Sequence, residues 1–503
     1  MAFPDGAFGE ALGTLAQVWE LVKPGGRLHP TSFFEAGGHL ALEGVLVLVI
    51  LVLLSGKSQR RPKKEKPLSE KEVDELCAEW VPEPMVAKGK AGAFSPVSRL
   101  TTPLRNLIKA SPKEKTVDRS PGDKHGARAR VAGEIRKDCL NVSGCSFLGM
   151  DSDQSILRDC EATIEKYGCG SCGPRGFYGT IDVHLDLEET FAAWMGFDQA
   201  ILYSYDIATP LSTIPAFCKG GDLIVADEGV SYSIRSGIQL SRSEVQYFKH
   251  NDMRDLERIL QRVEAETAAG RRPLTRRFIV VEGVYANTGD VAPIARILDL
   301  KRRYKHRLMI EESFSLGVLG KGGRGVCEHA GRLVTEADII FASLGNAFAS
   351  VGGICFGSHA TINHQRLAAS GYVFSASLPP FLSTAATSAV KILQRKPELI
   401  ESVQSNAKLM RDMLHKVEGL EVLGGCDVSP LIHMRLARGN GEEDLKRVVD
   451  FALREGVLLA VGSHSFLDSA ATEPTLKVTA NASLSANAIG YVVGTIGKAV
   501  RNV

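Results

Sequence analysis

Three short segments of the chain concentrate residue types that do chemistry. The first is Gly168-Cys169-Gly170-Ser171-Cys172-Gly173-Pro174-Arg175-Gly176-Phe177-Tyr178-Gly179, with five glycines in twelve residues. Glycine permits positive φ and close backbone approach to a ligand or a second chain. The segment lacks the Gly-Lys-Ser/Thr ending and the preceding strand of a phosphate loop. Cys169 and Cys172 have the spacing of a redox pair or half a zinc site, but no second pair at matching spacing accompanies them, which favours an inert structural role. The second segment, Glu311-Glu312-Ser313-Phe314, follows an apolar run. A carboxylate at the C-terminal end of a parallel strand stands where α/β proteins bind ligands, and capping the next turn is the equal alternative. The third, from Asp338 to Gly353, reads as a strand followed by a turn of small residues.

The elements that must position these segments are strands alternating with helices. Short β-rich apolar runs occur at 199–203, 222–226, 277–282, 307–311, 338–343 and 353–357, with helical periodicity at 252–266 and 294–305 between them. Strands that are apolar on both faces and alternate with helices predict a mainly parallel sheet covered on both sides. After Pro380 a long helical stretch leads to 400–417, then to a smaller αβ unit at 429–435, 444–455, 475–480 and 486–500. The expected organisation is a large α/β domain over 139–385 and a smaller C-terminal α/β domain over 386–503.

The 503 residues suffice for two or three domains. With 60 Lys plus Arg against 58 Asp plus Glu, the formal charge is +2, which argues against a nucleic-acid partner. Ten scattered cysteines are neither dense nor spaced as a disulfide scaffold, so reduced thiols in a cytosolic body are expected. The N-terminal part is different in texture. Gly44 to Leu54 is eleven residues without a charge, and the apolar character reaches back patchily to Phe33. That length alone suits a core helix. Lys57, Arg60, Arg61, Lys63, Lys64 and Lys66 follow directly, and such a basic flank marks the cytoplasmic end of a membrane helix. We therefore expect a membrane anchor over 33–56. Residues 1–32 carry a helical stripe of Phe8, Leu12, Leu15, Val18, Trp19 and Val22, suited either to lying on the membrane or to packing on the protein body. Residues 57–138 are basic, rich in Pro and Ser, and read as linker.

The three chemical segments, with Val281–Ile294 and His364–Pro380, resemble the α-oxoamine synthase family of fold-type I pyridoxal-phosphate enzymes, which join an amino acid to an acyl-CoA with loss of carbon dioxide. The resemblance runs from about residue 139 to 503. Within that family it is strongest to the long-chain-base subunits that act on L-serine and palmitoyl-CoA, and it extends to 68–84 and to the anchor.

The resemblance implies a fold-type I large domain, a smaller C-terminal domain and an N-terminal membrane helix. It also exposes departures. Active members place an Asp against the cofactor's pyridinium nitrogen and a His against its ring hydroxyl, where this chain has Glu311 and Phe314. The stacking His falls on Ser231, and the lysine that binds the cofactor falls on Asn346. An amide cannot form an imine, and no lysine lies between Lys321 and Lys391. The expected substrate carboxylate-binding Arg falls on Lys477, which keeps the charge without the bidentate fork. The implied role is a non-catalytic subunit in the endoplasmic reticulum membrane. A lysine-bearing second long-chain-base subunit would bind pyridoxal 5'-phosphate, and small regulatory membrane subunits are further possible partners. In such pairs sites form at the interface, which makes Cys172, Arg175, Tyr178, Ser375 and Ser377 the candidates for facing the partner. A scaffold without active-site contribution, and an active homodimer with relocated machinery, are the competing readings.

Overall fold

The computed structural model describes residues 126–131, 134–438, 441–462 and 473–502. The expected interfacial helix (1–32), the anchor (33–56) and most of the linker lie outside the described residues. Among those described, no helix is long and apolar enough to cross a membrane.

The elements in chain order are β1 (Gly126–Val131), β2 (Glu134–Asn141), α1 (Gln154–Tyr167), α2 (Asp182–Met195), β3 (Gln199–Tyr203), α3 (Ala208–Phe217), β4 (Leu223–Asp227), α4 (Tyr232–Ser241), β5 (Glu244–Phe248), α5 (Met253–Ala268), β6 (Arg277–Glu282), α6 (Ile294–Arg303), β7 (Arg307–Glu311), β8 (Ile339–Ser343), β9 (Gly353–Gly357), α7 (His359–Ala368), α8 (Pro380–Arg395), α9 (Glu398–Leu414), β10 (Leu420–Val422), β11 (Leu431–Leu436), α10 (Glu442–Arg454), β12 (Val457–Leu458), β13 (Ala460–Gly462), β14 (Thr475–Thr479) and α11 (Ala486–Arg501). Short helical turns at 326–329, 334–336 and 370–373 complete the set.

Seven strands form the large sheet in the order β3-β9-β8-β7-β6-β4-β5. The run from β8 to β5 is parallel, and β9 pairs antiparallel with both its neighbours. Strands β4, β8 and β9 are buried at every position, because helices cover both faces and each residue must be apolar or internally bonded. Helix α5 shows how the local sequence achieves this. Asp252 caps it by accepting the amides of Arg254 and Asp255, and Leu256, Ile259, Leu260 and Val263 form its buried stripe.

A second sheet, β10-β11-β14-β13, is antiparallel, and its own core includes Ile432, Met434, Leu445, Val448, Leu476, Val478, Val492 and Ile496. The chain joins this core earlier than its sequence suggests. Val142 packs in it, as do Met410 and Leu414 of α9, whereas Ile400 and Val403 of the same helix pack in the large core. Residues 126–131 and 134–138, read from sequence as linker, are strand: β1 and β2 pair antiparallel, and β2 runs parallel to β12. Their alternation of small and charged residues, as in Gly126-Ala-Arg-Ala-Arg-Val, lacks the apolar run that marks a strand.

Candidate active site and its departures

The C-terminal ends of the parallel strands gather acidic and hydroxylic side chains. Strand β4 ends at Asp227, β6 at Glu282, β7 at Glu311 and β8 at Ser343. Glu282 and Glu311 are register partners on adjacent strands, and both are buried. Each buried carboxylate finds donors. Glu282 accepts the amides of Ser231 at 2.6 Å and Ala286 at 2.8 Å. Glu311 accepts the amide of Ser313 at 3.0 Å. Burial raises the Glu311 carboxyl well above the usual range, and the neighbouring Glu282 adds to that. Glu282 is raised for the same leading reason.

Asp227 is fully buried and accepts the amides of Gly229 at 2.7 Å and Asn251 at 2.9 Å. Its third partner is His250 Nδ1 at 2.8 Å, whose Nε2 faces Asp290 Oδ2 at 3.3 Å. Burial alone would lower the His250 pKa, but the bonds to Asp227 and Asp290 outweigh it and push it up to about 9. Glu312, also fully buried, holds the hydroxyl of Ser315 and the amide of Val326. Desolvation pushes its carboxyl up to about 7.

Asn346 sits in the turn after β8, half-buried. Its Nδ2 donates to the Ser313 carbonyl at 2.7 Å, and its own carbonyl accepts the amide of Phe147 at 2.9 Å. The Phe147 ring lies 6.4 Å from that of Phe314 at 60°. Asn346, Ser313, Phe314 and Phe147 thus close a ring of contacts. Ser231 precedes α4, its amide held by Glu282 and its hydroxyl 3.2 Å from Ser233 Oγ.

These residues do not fit covalently bound pyridoxal phosphate. The amide at 346 has no nucleophilic lone pair and is committed to a carbonyl. Phe314 offers no hydrogen bond to a ring hydroxyl, and Ser231 no aromatic face. No step of a cofactor reaction is assigned to this chain.

The glycine segment and the 374–380 segment lie together. Ser377 is buried, and both its amide (2.9 Å) and its hydroxyl (3.0 Å) donate to the Gly173 carbonyl. Ser171 Oγ donates to the Ser377 carbonyl at 2.6 Å, and Pro174 bridges to Ala376. A Cβ at Gly179 would strike both the Gly173 carbonyl oxygen and Ser377 Oγ, so only glycine closes this turn. Arg175, expected at a partner surface, is 6% exposed and engaged within its own chain. Its Nη1 meets Glu188 at 2.8 Å, its Nε meets Thr180 at 2.9 Å, and its guanidinium lies 5.5 Å from the Tyr372 ring. By contrast Tyr178 is 88% exposed, Cys172 is exposed, and Ser375 is half-buried with its hydroxyl 3.3 Å from the Ala376 carbonyl. Exposed Phe177 and Phe374 flank them.

Lys477 lies mid-strand in β14, in register with His433 and Ala460. Sequence reading missed Glu188, His250 and Asp290. Glu188 had a visible signal, because it falls on the buried stripe His184-Leu187-Glu188-Phe191 of α2, where a charge must find a partner.

Comparisons with known proteins show the family. Residues 138–496 match the family model of aminotransferase class I and II. Long chain base biosynthesis protein 1b of Oryza sativa subsp. japonica is 45% identical over 437 residues, covering 86% of this chain and 85% of that protein. Serine palmitoyltransferase 1 of Dictyostelium discoideum is 38% identical, covering 92% of this chain and 93% of that protein. Among solved structures, a serine palmitoyltransferase variant from S. paucimobilis with a bound PLP–myriocin aldimine superposes with a TM-score of 0.69 at 24% identity, covering 81% of this chain and 94% of that one. Common fold, matching span and close relatives agree: the chain belongs to the class I and II aminotransferase family, in the group that holds long chain base biosynthesis protein 1 and serine palmitoyltransferase 1.

Proposed function

We propose that this chain is the non-catalytic but required subunit of serine palmitoyltransferase, which condenses L-serine with palmitoyl-CoA to 3-oxosphinganine in the first step of long-chain base synthesis. The observation that carries the reading is Asn346, an amide bonded to the Ser313 carbonyl where the family has its cofactor-binding lysine. A lysine-bearing second long-chain-base subunit supplies that lysine and binds pyridoxal 5'-phosphate. This chain supplies the facing surface, with Tyr178, Cys172 and Ser375 as its open positions. Residues 33–56 anchor the complex in the endoplasmic reticulum membrane in a single pass. Residues 57–138 form the linker, the large domain (139–385) and small domain (386–503) stay in the cytosol, and small regulatory membrane subunits meet the N-terminal part.

The test compares the full chain alone with the full chain co-expressed with its lysine-bearing paralogue, following CoA release from palmitoyl-CoA and L-serine. Turnover should appear only in the pair, and borohydride should fix cofactor to the paralogue alone. Turnover by this chain by itself would falsify the reading.

A second reading, a scaffold that touches no active site, draws support from Arg175 and Ser377, both spent within the chain. Ser375→Ala and Tyr178→Ala in the assembled pair separate the two. Reduced turnover with assembly intact favours a contribution to the site, and unchanged turnover favours the scaffold.

A further inference from the structure

The parallel strands begin at one edge of the large sheet and end at the other, and the two edges differ in charge. Asp227, Glu282 and Glu311 stand at the C-terminal edge. At the N-terminal edge the register sets Leu223 of β4 between Glu244 of β5 and Arg277 of β6, and Phe278 of β6 beside Arg307 of β7. The connecting turns meet there too. Ser243 Oγ donates to the Lys219 carbonyl at 3.0 Å, and the Arg276 amide donates to Asp222 Oδ1 at 3.2 Å. The loop from α5 to β6, Gly270-Arg271-Arg272-Pro273-Leu274-Thr275-Arg276, crosses this edge. Arg272 reaches Glu244 at the start of β5, while Arg276 directly precedes β6.

The carboxylates at this edge are already engaged. Asp222 pairs with Arg276 at 2.8 Å, Glu244 and Glu266 with Arg272 at 2.7 and 3.1 Å, and Asp338 with Lys301 at 2.5 Å. Glu264 acts on Arg277. Lys219, Arg242, Arg271, Lys305 and Arg307 are exposed, and among the described residues none of them is in an ion pair. Cations gathered without acids repel one another, and an anionic partner relieves that repulsion. Leu274 stands among them, 84% exposed and next to exposed Pro273. A single exposed leucine is ordinary; one set among unpaired arginines and lysines matches a bilayer interface. There the cations meet headgroup phosphates and the aliphatic side chain enters the acyl boundary. A nucleic acid would match the charge but leave the leucine in water.

We propose that the N-terminal edge of the large sheet, with the 270–276 loop, docks on an anionic phospholipid surface. Lys219, Arg242, Arg271, Lys305 and Arg307 face the headgroup phosphates, and Leu274 enters the acyl boundary. The inference goes beyond the proposed function and stands without it.

The full-length chain is reconstituted in phosphatidylcholine vesicles with or without phosphatidylserine, so that insertion by any other part of the chain is common to both. Amide exchange is read by mass in peptides covering 269–277 and 304–307. Each basic side chain at such a surface favours association about fivefold. Exchange in these peptides should therefore slow by roughly tenfold or more with phosphatidylserine and recover at high salt. The triple variant Arg271→Glu, Lys305→Glu, Arg307→Glu should lose the slowing, with unchanged exchange in β4 showing that it folds. Leu274→Ser should weaken the slowing, and an undiminished effect overturns the place given to Leu274. Equal exchange in the two kinds of vesicle, slowing that persists in the triple variant, or equal slowing by soluble phosphoserine without vesicles overturns the proposal.

Discussion

The side-chain amide of Asn346 donates to the main-chain carbonyl of Ser313 at 2.7 Å, which ties the turn after β8 to the segment after β7. A lysine there would present an amine to the same space. The amide instead stitches two neighbouring strand ends together, a structural use of the position where the family resemblance implies a lysine. Restoring the amine is therefore insufficient. Asn346→Lys leaves Phe314 against Phe147 and Ser231 beside Ser233, with no group to hold a cofactor ring. The variant should trap no cofactor on borohydride treatment and should lose about 1 kcal/mol of stability with the amide bond. Covalent cofactor on the variant, seen by peptide mass, would refute this account.

The buried pair Arg175–Glu188 should be costly to split. Glu188 Oε1 also accepts the amide of Leu202 at 2.8 Å, so Glu188→Ala strands a buried cation and a strand amide together. We expect a loss of about 3–5 kcal/mol, the usual consequence of leaving one buried charge without its partner. Replacing both, as Arg175→Met with Glu188→Leu, should cost markedly less than Glu188→Ala alone. Denaturant midpoints of the parent and the two variants check this, and equal losses for the single and double variants would contradict the assignment.

The strands of the large sheet were legible from sequence because β4, β6, β7 and β8 must be apolar on both faces, a pattern that only a covered parallel sheet imposes. That Asn346 can form no imine was legible for a simpler reason, since residue type alone decides it. Three things were not. The inward turn of Arg175 depends on Glu188, thirteen positions later on another element, and the buried stripe of α2 shows that Glu188 needs a partner without showing which residue it is. The His250 bridge joins three separate segments through Asp227 and Asp290. The β1–β2 hairpin is written in small and charged residues, and its partner strand β12 lies more than 300 residues away.

Half-buried His250 and fully buried Glu312 make stability depend on pH in two windows. His250 is pushed up to about 9 from an ordinary 6.5. The folded chain therefore holds a proton that the unfolded chain has released over that interval. Its contribution is full below pH 6.5 and is lost as pH rises through 9, on the order of 3 kcal/mol. Glu312 is pushed up to about 7 from an ordinary 4.5. Being held as the neutral acid, it too favours the folded chain most at low pH, and its contribution falls between 4.5 and 7 by a similar amount, about 3 kcal/mol. His250→Gln should flatten only the upper window. Glu312→Gln, which can still accept the Val326 amide and donate to Ser315, should flatten only the lower one. Unfolding midpoints measured from pH 4.5 to 9 distinguish the two. A parent protein whose midpoint rises across the upper window, or a His250→Gln variant that keeps the parent's fall there, would show that the Asp227–His250–Asp290 bridge does not hold the proton.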